Sequence, residues 1–125
     1  RPSLILTSPA QRALATARIV ADALAYPREF LQREQALYMA TPEEILALLT
    51  EQDDTFGEIM IVGHNPGLTD LINQLLPELH LDSLPTAGVA VIESAARQWA
   101  DVGRTSAALA HFDYPRNPEL LVIED

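Results

Sequence analysis

The sequence predicts an α/β layer fold with a mainly parallel sheet. Short apolar runs suited to buried strands alternate with longer stretches of helical period. Two of those runs, residues 4–7 and 59–62, break directly into a cap-and-proline helix start. No internal repeat, low-complexity stretch or long linker divides the 125 residues, so a single domain over 1–125 is expected.

Leu4-Ile5-Leu6-Thr7 reads as the first buried strand. It runs into Ser8-Pro9-Ala10-Gln11, where Ser8 can cap, Pro9 fits the first helical position and Gln11 completes a capping box. The helix is expected over residues 9–25, with Leu14, Ala17, Val20, Ala21 and Leu24 on one arc. Arg18 and Asp22 form a solvated pair four apart, and Tyr26-Pro27 ends the element. Residues 35–38 read as a short strand.

Thr41-Pro42-Glu43-Glu44 repeats the device of cap, proline and acid, and the helix continues through Ile45, Leu46, Leu48 and Leu49. Ile59-Met60-Ile61-Val62 is the clearest buried strand, and it breaks at Gly63-His64-Asn65-Pro66-Gly67. There Asn65 reads as a cap and Pro66 as the first helical residue, ahead of an apolar face of Leu68, Leu71, Ile72, Leu75 and Leu76. Leu84-Pro85-Thr86-Ala87 is a loop into a strand over 88–93. A turn at Ser94-Ala95-Ala96 then leads to an antiparallel partner around 98–102, and residues 120–123 are also strand-like.

Composition excludes several functions. Eight basic residues, all Arg, face 18 acidic ones for a net charge of −10, with 48% of the chain hydrophobic. Nucleic-acid binders and proteins docking on anionic lipid need a basic face, so neither partner is expected. No apolar run approaches the ~20 residues of a membrane span, and no secretory or transit sequence is visible; a cytoplasmic location is expected. The absence of cysteine removes disulfides, thiol catalysis and Cys-ligated zinc. His64, His80 and His111 lie far apart without metal-ligand spacing, so neither metal nor other cofactor is expected.

The chemistry gathers at two strand-to-helix corners, because ligands of open α/β sheets bind beyond the carboxyl ends of the strands. The first corner offers Ser8 and Arg12. The helix dipole disfavours a cation in a first turn, so Arg12 reads either as an anion ligand or as a plain surface charge. The second offers His64 before a helix N-terminus, where free N–H groups favour phosphate; His64 reads as an anion ligand or as a turn residue. If the strands are neighbours, Arg12 and His64 converge on one anion. His80 reads as exposed, His111 as packing, and Trp99 as core or rim.

Thr7-Ser8-Pro9-Ala10-Gln11-Arg12-Ala13 with Thr16-Ala17 resembles the second-arginine motif of the histidine phosphatase superfamily, the phosphoglycerate mutase-like proteins. Val62-Gly63-His64-Asn65-Pro66-Gly67 resembles the second-histidine motif of its SixA-type phosphohistidine phosphatase branch. Residues 36–44, 84–91 and 112–116 resemble that branch as well, so the likeness spans nearly the whole chain. It implies a three-layer, phosphoglycerate mutase-like sheet with helices on both faces. It also implies a metal-independent phosphatase reaction in which a histidine takes the phosphoryl group and water releases it. On that likeness Arg12 and His64 are the catalytic, substrate-binding pair, with Gly88 backbone lining the pocket. The substrate is then a phosphohistidine-bearing protein or a small phosphorylated molecule. The short interval between Arg12 and His64 leaves no room for a general-acid insertion, and the labile P–N bond of phosphohistidine needs none.

The departure from the pattern is that no Arg-His dipeptide occurs in the sequence. The nucleophile and one phosphate arginine of the family, together with its first strand, are therefore expected to precede Arg1. A domain folded without that strand is expected to self-associate through exposed sheet edges, or to fill the slot with a segment such as residues 120–123. The alternative function is a non-catalytic phospholigand-binding or interaction module.

Overall fold

The computed structural model describes residues 3–82, 89–94, 96–104 and 107–113. Ser3–Thr7 forms β1, and Leu4, Ile5 and Leu6 are almost wholly buried. A strand covered on both faces shows no polar alternation, which is why this stretch is apolar at every position. Gln11–Ala23 forms α1, and Gln32–Arg33 forms β2. Pro42–Thr50 forms α2, Glu58–Val62 forms β3 and Gly67–Leu75 forms α3. The parallel sheet has the order β2-β1-β3, so β1 is central. Val89–Ser94 (β4) and Ala107–Asp113 (β5) make a second, antiparallel sheet with a bulge between Val91 and Ile92.

The main core cluster joins Leu4 and Leu6 of β1 to Leu37, Ala40, Ile45, Leu48, Leu49 and Leu71. Phe56, Ile59, Ile61, Leu68 and Leu75 pack against it. α2 starts where the sequence predicts it. Thr41 Oγ1 accepts from the Glu44 N–H at 3.2 Å, and Glu44 Oε1 accepts from the Thr41 N–H at 3.0 Å. Each side chain thereby satisfies an N–H that the first helical turn leaves unpaired. Asn73 holds the chain after α3, its amide donating to the Leu81 carbonyl at 2.7 Å and accepting from the Leu81 N–H at 2.8 Å. Trp99 ties a 3₁₀ turn (Trp99–Asp101) to the loop before β3, its indole N–H donating to the Phe56 carbonyl at 2.9 Å.

Several sequence expectations are corrected. α1 begins at Gln11 rather than residue 9, with Ala10 as cap and no side-chain cap bond, because Ser8 is engaged elsewhere. Its buried face is Ala13, Ala17 and Ala21, while Leu24 is 60% exposed. An alanine stripe lets a helix approach a sheet closely, and the larger residues fall to the flanks. The Arg18–Asp22 pair does not form. Arg28 takes Asp22 through two guanidinium N–H groups, Nε at 2.9 Å. This bidentate bond holds the Asp22 carboxyl below its usual range and raises the Arg28 guanidinium. The expected strand at 35–38 is a 3₁₀ turn (Gln35–Leu37) that buries Leu37, and the strand of this region is β2, just before it. The partner of β4 is β5, not residues 98–102, which hold the Trp99–Asp101 turn. Residues 120–123 lie outside the described residues.

Candidate functional site

β1 and β3 run parallel, with Thr7 opposite Val62. Their chains therefore leave the carboxyl edge side by side, and the Ser8 N–H donates to the Val62 carbonyl at 2.9 Å. One step further on, Ser8 Oγ and His64 Nε2 lie 2.8 Å apart in a part-buried hydrogen bond. The imidazole tautomer sets its direction. The Ser8 hydroxyl also accepts from the Ala10 N–H at 3.3 Å. Tyr38 meets His64 edge to face, ring centroids 5.7 Å apart, and is itself 54% exposed.

The described residues contain three buried polar side chains, Thr7, Ser8 and Thr69, and all belong to these two junctions. Thr7 Oγ1 donates to the Ser8 carbonyl at 3.0 Å, and Thr69 Oγ1 donates to Asn65 Oδ1 at 2.8 Å. Among the described residues no buried side-chain polar atom lacks a partner. Buried polar groups that are fully bonded hold a fixed geometry, and here they fix the two loops that carry Ser8 and His64.

The second corner differs from the sequence expectation in detail. Pro66, not Asn65, is the cap of α3, and no side chain caps this helix. The Asn65–Pro66 bond is cis, and the Asn65 carboxamide accepts from Thr69 one turn on. The Leu68 N–H donates to the His64 carbonyl at 3.1 Å, which fastens the helix start to the histidine. Gly67 is buried with its α-carbon hard against the Ala40 carbonyl, a close approach only glycine permits at that point.

Arg12 lies exposed in the first turn of α1, four residues after Ser8, and its side chain has no hydrogen-bond or ion-pair partner among the described residues. Gly88 lies outside the described residues. His80 is exposed after α3 with a φ of 50°, and His111 sits on β5 opposite Val91. The sequence alone presents Ser8 as a helix cap and gives Tyr38 no role at the site. The signal for Ser8 is a polar residue directly after an apolar strand, one register step beyond the Thr7–Val62 pair and beside Gly63-His64. It becomes readable only once the two strands are known to be parallel neighbours. Among the described residues no group of three or more His, Asp or Glu side chains is arranged to hold a metal ion. No helix among them is long and apolar enough to cross a membrane.

No family model matches the chain, and no curated protein matches it. A solved structure does: "Putative Phosphohistidine Phosphatase SixA" from Nakamurella multipartitia. It superposes with a TM-score of 0.66 at 21% identity, over 92% of this chain and 72% of that one. The fold is SixA-like. At that identity the likeness speaks for the fold, namely the small parallel sheet and its three helices.

Proposed function

We propose that the paired corners form a phosphoryl-binding site and that the chain serves a metal-independent phosphohistidine phosphatase reaction of the SixA kind. The observation that carries this reading is the 2.8 Å bond between Ser8 and His64, which joins the two motif-bearing junctions at one edge of the sheet. Support for the finer, phosphoglycerate mutase-like three-layer arrangement comes from β1, whose Leu4 and Leu6 enter the main cluster while the equally buried Ile5 does not.

Each residue then has a stated task. Ser8 fixes the His64 ring so that the imidazole meets a phosphoryl oxygen in one orientation. Arg12, exposed and unpaired among the described residues, supplies a planar fork of N–H donors to the same group. Phosphoryl transfer relies mainly on positioning and on stabilising charge on the oxygens, which is what an arginine and an imidazole provide. In the overall hydrolysis the P–N bond of phosphohistidine breaks, a P–O bond to water forms, and the freed imidazole takes a proton. The attacking histidine belongs to an Arg-His motif that this sequence does not contain.

That same fact favours a second reading, a module that binds a phospholigand without turnover. One titration with inorganic phosphate, followed by NMR, tests what both share. The His64 imidazole and Ser8 amide signals shift on titration, and Arg12→Ala or His64→Ala abolishes the response. Shifts located elsewhere, or none, refute the site. In a polypeptide that also carries the Arg-His nucleophile, either substitution lowers turnover on the order of 10²–10³-fold. Binding that persists with no turnover there selects the second reading.

A further inference from the structure

A cavity of about 720 Å³ lies between α1 and β2, lined by Leu14 and Arg18 of the helix, Arg28, Glu29 and Leu31 of the connection, and Gln32 and Arg33 of the strand. It contains neither Ser8 nor His64. Three of the eight arginines of a chain with net charge −10 meet in this groove. Uniform scatter over an acidic surface would not concentrate them so.

Within the lining three arginines stand against one acid, Glu29, while the neighbouring Asp22 and Glu34 are bonded to Arg28 and Gln32. Arg18 would ordinarily be neutralised by Asp22, four residues along the same helix. Arg28 occupies both oxygens of Asp22 instead. The side chains of Arg18 and Arg33 are left exposed with no hydrogen-bond or ion-pair partner among the described residues. Two aliphatic side chains, Leu14 and Leu31, and one acid, Glu29, share the lining with the arginines. One wall is β2, a strand of two residues at the end of the order β2-β1-β3, with no partner on its outer side among the described residues.

We propose that this groove docks an extended acidic segment of a partner protein, laid along β2, with carboxylates on Arg18 and Arg33 and an aliphatic side chain over Leu14 and Leu31. Arginines and leucines sharing one groove match alternating acidic and apolar side chains. A compact anion would leave Leu14 and Leu31 without an apolar partner. An open strand edge adds main-chain hydrogen bonds to an extended guest, the general logic of strand addition. The surface is separate from the phosphoryl corner, so the proposal stands or falls without it.

The test uses a fluorescein-labelled peptide of alternating glutamate and leucine, titrated with the chain and read by fluorescence anisotropy. Saturable binding is expected, weakening as salt is raised. The Arg18→Glu/Arg33→Glu variant should lose roughly tenfold or more in affinity, since like charges then face each other across the groove. The pair Arg97→Glu/Arg104→Glu, exposed and outside the groove, should bind as the unaltered chain does. All four positions are on the surface, and far-UV circular dichroism checks that the variants fold; Arg18→Gln/Arg33→Gln provides a milder change with the same expected direction. Absence of saturable binding overturns the proposal, and so does an equal loss in the control pair. Displacement by millimolar phosphate beyond the effect of chloride at matched ionic strength would mark a free-anion site and overturn it too. Preference for phosphatidylserine vesicles over the peptide would do the same.

Discussion

Replacing Gly67 by alanine tests how the second corner is built. A β-carbon at position 67 would lie 2.1 Å from the Ala40 carbonyl oxygen, against about 3.3 Å for the closest ordinary carbon–oxygen contact. The shortfall exceeds 1 Å, roughly, and the obstacle is backbone, so no rotamer change relieves it. Ile45 Cδ1, 3.4 Å away, closes off another direction. Either α3 withdraws or the Ala40 segment moves, and Ala40 is only 7% exposed within the main cluster. Overpacking of this kind costs about 3 kcal/mol, offset by up to ~1 kcal/mol from the stiffer unfolded chain, for a net loss near 2 kcal/mol. For a domain of this size that lowers the thermal midpoint by about 8 °C. The melt is followed by far-UV circular dichroism, with Gly63→Ala alongside. The nearest atoms to a β-carbon at 63 are those of the Leu68 side chain, at 3.8 Å or more, so that variant should melt close to the parent. Withdrawal of α3 also pulls on His64 through the Leu68 N–H bond, so its imidazole NMR signals should move in Gly67→Ala and stay put in Gly63→Ala. Equal melting of the two variants would refute the account.

Other outcomes follow from the same structure. Thr41→Ala removes the hydroxyl that accepts from the Glu44 N–H, the side-chain half of the reciprocal cap on α2 that Thr41 supplies, and should cost about 1 kcal/mol in a denaturant titration, with Thr41→Ser close to neutral. Leu6→Ala, at a fully buried position of the central strand, should cost about 2–5 kcal/mol, and a smaller shift would mean that the neighbouring side chains close the cavity. The carboxyls of Asp22, Glu44 and Asp53 are held below their ordinary values by hydrogen bonds from Arg28, the Thr41 backbone and the Thr55 backbone. A carboxyl whose folded pKa is depressed stabilises the fold above its unfolded pKa and loses that contribution as pH falls through the folded value. The thermal midpoint should therefore drop below about pH 4.5, and less steeply in Asp22→Asn/Asp53→Asn. An equally steep drop in that variant would show that other groups govern acid sensitivity. The Asp22 share should shrink further in high salt, because its ion pair is exposed.

What the sequence discloses divides along the range of the interactions. The start of α2 is written within four residues, Thr41 to Glu44, and needs no distant partner, so it is read directly. β1, β3 and the apolar face of α3 are legible for a related reason: burial on a fixed period leaves a pattern in composition. Pairings made across space are not. Asp22 has two arginines in reach along the chain, and only the path after α1 decides that Arg28 takes it. The partner of β4 could not be told from a nearer apolar stretch, because a 3₁₀ turn around Trp99 uses similar residues. At the site, the motif histidine stands out locally. The serine that fixes it does not, since its role depends on the neighbour relation of two strands more than fifty residues apart.

The pairing of β1 with β3 also acts as a gauge. Each residue along a strand advances it by roughly 3.3 Å, so sliding one strand by a single position would carry Ser8 from His64 by more than the whole length of their bond. The same slip would turn Leu4 and Leu6 out of the cluster they occupy. Alignment of the hydroxyl with the imidazole is thus checked by the hydrophobic interior itself, and a chain that has mis-set this gap has also failed to close its core.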